Sequence, residues 1–297
     1  MGTEDLCYRV VNVFTSGSDP FTGNPLAVVE DAGHLDDHTM LAIARQLNLS
    51  ETTFLTHLDR SAGEATVRIF TTAYEMPFAG HPTLGAASVV ADLIGGARGV
   101  DDVTLLLPVG RVPVVRTATD GSDRWTLTTA VTPTVRAPGA GRADLAAMLG
   151  LTEADLGDDA LFVDAGVEQL VVPLAGVEAV HRICPVPHLL ERHARSAAGM
   201  VQALVWAASG PDEVEARFLV AEGGGFFEDP ATGSACANLG GWLRERGAHE
   251  PAGLTRLVHQ GAAVSRPSVL HLGVSAAGVV TVGGSVLDLG RGTFTLP

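Results

Sequence analysis

Two apolar periods alternate along the chain. Short runs of β-branched and aromatic residues, bounded by Gly, Pro, Asn or Asp, predict strands at Tyr8–Thr15, Asn24–Glu30, Ala65–Thr71, Val103–Pro108, Arg111–Arg116 and Trp125–Thr129. The turn signals between them suggest antiparallel pairing, with a hairpin around Pro108-Val109-Gly110. Helical spacing over Leu35–Leu47 turns Leu35, Met40, Ile43, Ala44 and Leu47 inward, with Asp36 or Asp37 serving the first turn. The next stretch, Asn48 to Leu55, reads as helix exit, short turn and strand. A second helix covers Pro82–Leu93 and ends at Gly95-Gly96. The domain junction falls near the turn Asp120-Gly121-Ser122-Asp123. Beyond it, Asp144–Leu149 predicts a short helix, Thr152–Asp155 a capping segment, and His181–Arg195 a mostly helical stretch apart from Pro185 and Pro187. Strands are expected within Ala160–Leu174, at Gln202–Ala207 and Glu215–Phe218, and in the closing segments Thr255–Gln260, Ser268–Val274, Val279–Val282 and Ser285–Leu287.

One pattern occurs twice. Gly225–Leu243 follows the Gly-rich run Gly223-Gly224-Gly225 with Glu228-Asp229, Pro230, an Ala-Thr-Gly-Ser turn and a helix of small and apolar residues. Met76–Leu93 has an apolar start, the turn Gly80-His81-Pro82-Thr83 and another small-residue helix, with Pro82 suited to a first helical position. Helices so poor in charge should be buried. Thr232 or Ser234 can supply a capping oxygen, and such helix starts present unpaired N–H groups and partial positive charge to an anion. The repeat, with the short strands around Asp164-Ala165-Gly166 echoing the first strands of the chain, implies two related halves.

Composition narrows the chemistry. With 297 residues, 46% of them hydrophobic, the chain fits two packed domains. Its formal net charge of −15 argues against a nucleic-acid partner. All 19 basic residues are Arg, so a lysine Schiff base and a P-loop lysine are both excluded. The cysteines Cys7, Cys184 and Cys236 form no CxxC pair, and the scattered His residues show no HExxH, so no metal and no cofactor is expected. No apolar window reaches the roughly 18 residues of a membrane span. The first residues, Met-Gly-Thr-Glu-Asp-Leu, carry acids where a signal peptide carries basic residues. The expectation is a cytoplasmic protein with no membrane partner.

Glu51, His81 and Asp229 each sit at a turn beside a Gly or hydroxyl residue. A carboxylate in an apolar cleft is held protonated or poised near neutrality, as proton transfer at carbon requires. Each has a plainer reading: Glu51 as an exposed turn acid, His81 as a cap or a partner of a backbone carbonyl, Asp229 as a turn acid before proline, Ser234 as an N-cap. Cys236 reads as a small core residue. Phe226 and Phe227 suit either a flat ring in a cleft or the core.

FTGNPLAVV (Phe21–Val29), NLSETTF (Asn48–Phe54), FAGHPTLGA (Phe78–Ala86), DAGVEQLVVPL (Asp164–Leu174) and EDPATGSA (Glu228–Ala235) together resemble the PhzF-like family of phenazine-biosynthesis isomerases, which has the diaminopimelate epimerase fold. The resemblance spans nearly the whole chain. It implies an α+β fold of two similar lobes, each a curved, mostly antiparallel sheet around a central helix, with the active site in the cleft between them. The lobes would comprise residues 1–122, completed by 286–297, and residues 123–285. By the same resemblance Glu51 shuttles a proton, His81, Asp229 and Ser234 line the same site, and the protein is a homodimer. The expectation built on it is that His81 and Asp229 are catalytic beside Glu51, orienting the substrate and balancing charge, and that the N–H groups at Gly80 and Gly233, with Ser234, bind a small-molecule carboxylate. Related racemases of this fold use two cysteines at the helix-start turns; here neither turn has one. The expected activity is a cofactor-independent isomerase acting on a small cyclic or unsaturated carboxylate. An epimerase or racemase, or a non-catalytic binding protein, are the alternatives.

Overall fold

The computed structural model describes residues 4–17, 19–95, 101–118, 123–222 and 224–296. Gly96, the turn segment Asp120-Gly121-Ser122 and Gly223 lie outside the described residues. Backbone contacts divide the chain into two units, Met1–Leu127 with Gly283–Pro297, and Thr128–Val282.

The first unit contains β1 (Glu4–Val13), β2 (Asn24–Val29), α1 (Asp37–Leu47), β3 (Thr52–Asp59), β4 (Glu64–Phe70), β5 (Glu75–Met76), α2 (Gly80–Gly95), β6 (Asp102–Leu107), β7 (Gly110–Thr117) and β8 (Arg124–Thr128). From β1 to β7 the sheet pairs antiparallel, parallel, antiparallel, parallel and antiparallel, while β5 adds to β4. Each parallel joint needs a crossover, and α1 and α2 supply the two crossovers. They are built differently. In α1, Asp36 caps the start by accepting from Thr39 N–H, and Asn48 ends it in the left-handed region at φ 53°. Only its inner stripe, Met40, Ile43 and Ala44, is buried, against Leu6, Val29, Phe54 and Phe70. By contrast α2 is buried on nearly every residue from His81 to Ala91. Its Gly85 lets the backbone approach β1 and β2: a Cβ there would lie 2.5 Å from Leu26 Cδ2. Strand β2, buried on both faces, is for that reason continuously apolar rather than alternating.

The second unit contains β9 (Thr134–Arg136), α3 (Arg142–Leu149), β10 (Leu161–Asp164), β11 (Glu168–Pro173), α4 (Val177–Arg182), α5 (Pro187–His193), β12 (Gln202–Ala208), β13 (Glu213–Glu222), β14 (Gly225–Asp229), α6 (Gly233–Glu245), β15 (Leu254–Gln260) and β16 (Ser268–Val274). From β10 to β16 the pairing repeats the sequence antiparallel, parallel, antiparallel, parallel, antiparallel, with β14 added to β13 as β5 is to β4. One sheet face packs α3, α4 and α5 around Leu149, Leu170, Val205 and Leu219. The other carries α6, whose Gly241 sits where a Cβ would meet Pro133 and Val163 at 2.7 Å. The sheet is mixed rather than simply antiparallel.

Four local expectations are corrected. The segments 279–282 and 285–287 belong to one strand, β17 (Val280–Leu296), whose outer part pairs with β1 from Val13 opposite Val286 to Glu4 opposite Leu296. The helix expected from His181 begins earlier, as α4 from Val177, and after the expected interruption at Pro185 it resumes as α5, with Pro187 at its first residue, and ends at His193. Residues 225–229 are strand β14, not loop, since β13 offers them a ladder. Phe226 and Phe227 are 41% and 50% exposed, so the core reading of that pair fails.

Candidate active site

In the first unit the left-handed Asn48 turns the chain out of α1, and Glu51 follows immediately before β3. The next two residues, Thr52 and Thr53, are fully buried. The Glu51 side chain is only 17% exposed and stands 3.5 Å, Oε2 to Nε2, from His81, the second residue of α2. That separation exceeds a good hydrogen bond. Glu51 Oε2 is buried and accepts no hydrogen bond from a described residue. Burial pushes the Glu51 carboxyl above the usual carboxylate range, opposed by a hydrogen bond with the Ser50 side chain. Glu51 is therefore not an exposed turn acid.

In the second unit Asp229 ends β14 and Gly233 opens α6. Thr232 is the N-cap residue but makes no capping bond, and neither does Ser234, correcting that expectation. The Thr232 hydroxyl donates instead to Asp229 Oδ2. Gln260 Nε2 donates to the Asp229 carbonyl at 2.8 Å and to Thr232 Oγ1 at 3.2 Å, fixing the turn from below. Ser234 Oγ accepts from Gln169 Nε2 at 3.0 Å. The first-turn N–H groups of α6 thus stay uncapped by side chains, a setting that favours an anion. The neighbouring acid has a different job: Glu228, 4% exposed, is ion-paired with Arg217 at 2.8 Å.

The two units align residue by residue here. Each crossover helix starts at a Gly preceded by Pro and two further residues: Met76-Pro77-Phe78-Ala79-Gly80 and Asp229-Pro230-Ala231-Thr232-Gly233. His81 and Ser234 are then equivalent second residues. On the parallel joint, Ala27 faces Thr52 and Leu170 faces Ala203, which makes Glu51 and Gln202 equivalent. The fold thus builds the same pair of positions twice, filling one with acid and imidazole and the other with amide and hydroxyl. Gln169, Gln202, Asn238 and Gln260 were not singled out in the sequence. The available signal was a polar residue inside an apolar run: Gln169 within EQLVVP, Asn238 within ACANLGG.

Cys236 lies inside α6, 1% exposed, and burial pushes its thiol well above the ordinary range. Among the described residues, no group of three or more His, Cys, Asp or Glu side chains is placed to hold a metal ion, and no helix is long and apolar enough to cross a membrane.

A buried acid beside an imidazole, on a duplicated scaffold with anion-favouring helix starts, is the equipment of proton transfer at carbon. Known proteins similar to this chain include isomerases and epimerases. An uncharacterised isomerase of Pasteurella multocida is 33% identical over 297 residues, 98% of this chain and 94% of that one. The trans-2,3-dihydro-3-hydroxyanthranilate isomerase of Pseudomonas fluorescens is 30% identical over 293 residues, 97% of this chain and 99% of that one. Among solved structures, a protein from Pseudomonas aeruginosa described as a predicted epimerase has a TM-score of 0.78 at 31% identity, covering 97% and 98% of the two chains. A hydroxyproline epimerase from Agrobacterium vitis shares the fold at a TM-score of 0.63 and 15% identity, covering 99% and 92%. The protein is an enzyme of the isomerase class. The family model described as phenazine biosynthesis-like protein, PhzC-PhzF, matches residues 11–287, and the chain belongs to that family.

Proposed function

We propose that this enzyme is a cofactor-independent isomerase that moves a proton between carbons of a small, carboxylate-bearing, cyclic or unsaturated metabolite. Glu51 removes the proton from one carbon and returns it to another. His81 beside it and Asp229 orient the substrate and balance charge. The N–H groups at Gly80 and Gly233, with the Ser234 hydroxyl, bind the substrate carboxylate. In this reading the units are two similar lobes of the diaminopimelate epimerase-like fold, each a curved sheet about its crossover helix. The enzyme works in the cytoplasm as a homodimer, with neither nucleic acid nor membrane as partner.

The observation that carries the reading is Glu51: a buried carboxyl, pushed up by desolvation, with one oxygen unpaired 3.5 Å from His81 Nε2. Such a group is more readily protonated than an exposed carboxylate and is placed to give and take a proton. The equivalent position in the second unit is Gln202, which cannot act as a base. That favours one shuttling acid over a symmetric two-base racemase. An epimerase would have to recruit another acid or a His, such as Asp229 or His81, as its second base.

The test is NMR-detected exchange of substrate C–H with solvent deuterium. It would use trans-2,3-dihydro-3-hydroxyanthranilate and small cyclic amino-carboxylates, with native protein and Glu51→Gln side by side. Exchange in the native enzyme with a shifted double bond, lost in the variant, is expected. Exchange that persists in Glu51→Gln overturns the mechanism, and label at one stereocentre without double-bond movement selects the epimerase.

A further inference from the structure

In the first unit, Leu26 of β2 packs against Gly85, the sixth residue of α2. The same two positions in the second unit hold Gln169 and Asn238, 1% and 0% exposed. Nothing in the fold demands polar residues there, since the first unit closes the same joint with an apolar contact. Burying two carboxamides costs free energy unless every donor and acceptor is paired.

They are paired, and in one sense only. The Ala165 N–H can only donate, so the atom 2.8 Å from it is Asn238 Oδ1. The Val167 carbonyl can only accept, so Asn238 Nδ2 faces it at 2.8 Å. The second Nδ2 hydrogen goes to Gln169 Oε1 at 2.8 Å. That turns Gln169 Nε2 toward Gln202 Oε1 at 3.1 Å and Ser234 Oγ at 3.0 Å. Both amide hydrogens of Gln169 are now committed, one to Gln202 and one to Ser234, so Ser234 is the acceptor in its contact with Gln169. The hydroxyl hydrogen of Ser234 cannot return to Gln169 and has no acceptor among the described residues. Neutral Gln202, at the position equivalent to Glu51, holds the other hydrogen and keeps the Gln169 amide from rotating.

We propose that Gln169 is a positioning residue that fixes Ser234 as a hydrogen-bond donor, so that this hydroxyl presents its hydrogen to an accepting oxygen of the substrate, a carboxylate. The polarity starts at two backbone groups and passes through two side chains to the hydroxyl. The proposal rests on the reading of Ser234 as a substrate-binding residue.

Two measurements test it separately. In ligand-free protein, side-chain amide NMR should show both Gln169 amide protons protected from exchange. Ser234→Ala should release one of them and leave the other unchanged. If Ser234→Ala leaves both protons unmoved, the polarity is wrong and the inference fails, whatever the enzyme catalyses. The second measurement titrates anthranilate, a stable carboxylate probe, into native protein, Gln169→Glu, Ser234→Ala and the double variant. A Glu at 169 still accepts from Asn238 but now also accepts from Ser234, reversing the hydroxyl. Affinity should fall about tenfold or more in Gln169→Glu, as for a lost hydrogen bond to a charged group. The double variant should bind no worse than Ser234→Ala alone, because the two act as one unit. Equal binding by native protein and Gln169→Glu, or additive losses, overturns the positioning role. If native protein does not bind the probe while the amide pattern is as expected, the carboxylate-binding reading fails and the fixed polarity of Ser234 stands.

Discussion

Glu228 and Asp229 are adjacent acids that should give opposite phenotypes. A strand sends successive side chains to opposite faces, and β14 sends these two to different surroundings. On one side, the Arg217 guanidinium reaches Glu228 Oε2 from Nε at 2.9 Å and from Nη2 at 2.8 Å, and its Nη1 reaches the carbonyls of Val180 and Ile183 at 3.3 and 3.4 Å. The two side chains are only 14% and 4% exposed. Glu228→Gln leaves a buried guanidinium without its counter-charge, and breaking one partner of such a pair costs about 3–5 kcal/mol. Asp229 is partly exposed, and an Asn there still accepts from Thr232. Asp229→Asn should therefore cost less stability than Glu228→Gln. If Asp229 has the proposed role, its effect falls on turnover, with a loss of about 10²–10⁴-fold for a group that assists proton transfer. Urea unfolding and steady-state turnover on both variants decide the matter. A stable Glu228→Gln paired with an unfolded Asp229→Asn would refute the assignment of roles. So would an Asp229→Asn enzyme of undiminished rate.

The raised carboxyl of Glu51 makes stability depend on pH. The folded protein favours the neutral acid, so its contribution is fully present below the unfolded carboxylate range and is lost as pH rises through the folded value. Glu51→Gln should therefore be more stable than native protein at pH 7, with the gap closing toward pH 4; thermal unfolding across that window checks it, and a variant less stable at pH 7 contradicts it. Cys7 and Cys184 are exposed while Cys236 is buried with its thiol pushed up. Thiol titration of native protein should count two groups, and Cys236→Ser should retain turnover; loss of turnover in a folded variant would revive thiol chemistry.

Much of this arrangement was legible in the sequence, for identifiable reasons. Helix α1 announced itself through Met40, Ile43 and Ala44 at helical spacing and through Asp36. The buried helices α2 and α6 did so through their lack of charge. Glu51 and His81 stood out because each interrupts an apolar context at a turn. Other features depended on partners far along the chain. Residues 225–229 look like a loop until β13 lies beside them. The expectation named Asp229 and not Glu228, but the structural role of Glu228 could not be read without knowing that Arg217 lies beside it. Gln169 and Asn238 sit inside runs that read as core, and they are core by burial. Only their mutual bonds, across 69 residues of sequence, reveal a polar purpose.

Strand β17 sets the order in which the protein can be completed. Strand β1 lies between β2 and the outer part of β17. The unit that contains the first residues therefore lacks one flank of its opening strand until residues 283–296 have been synthesised. The second unit, encoded later, has its own sheet from β10 to β16 available sooner. A ribosome making this chain thus holds the earlier half unfinished while the later half closes.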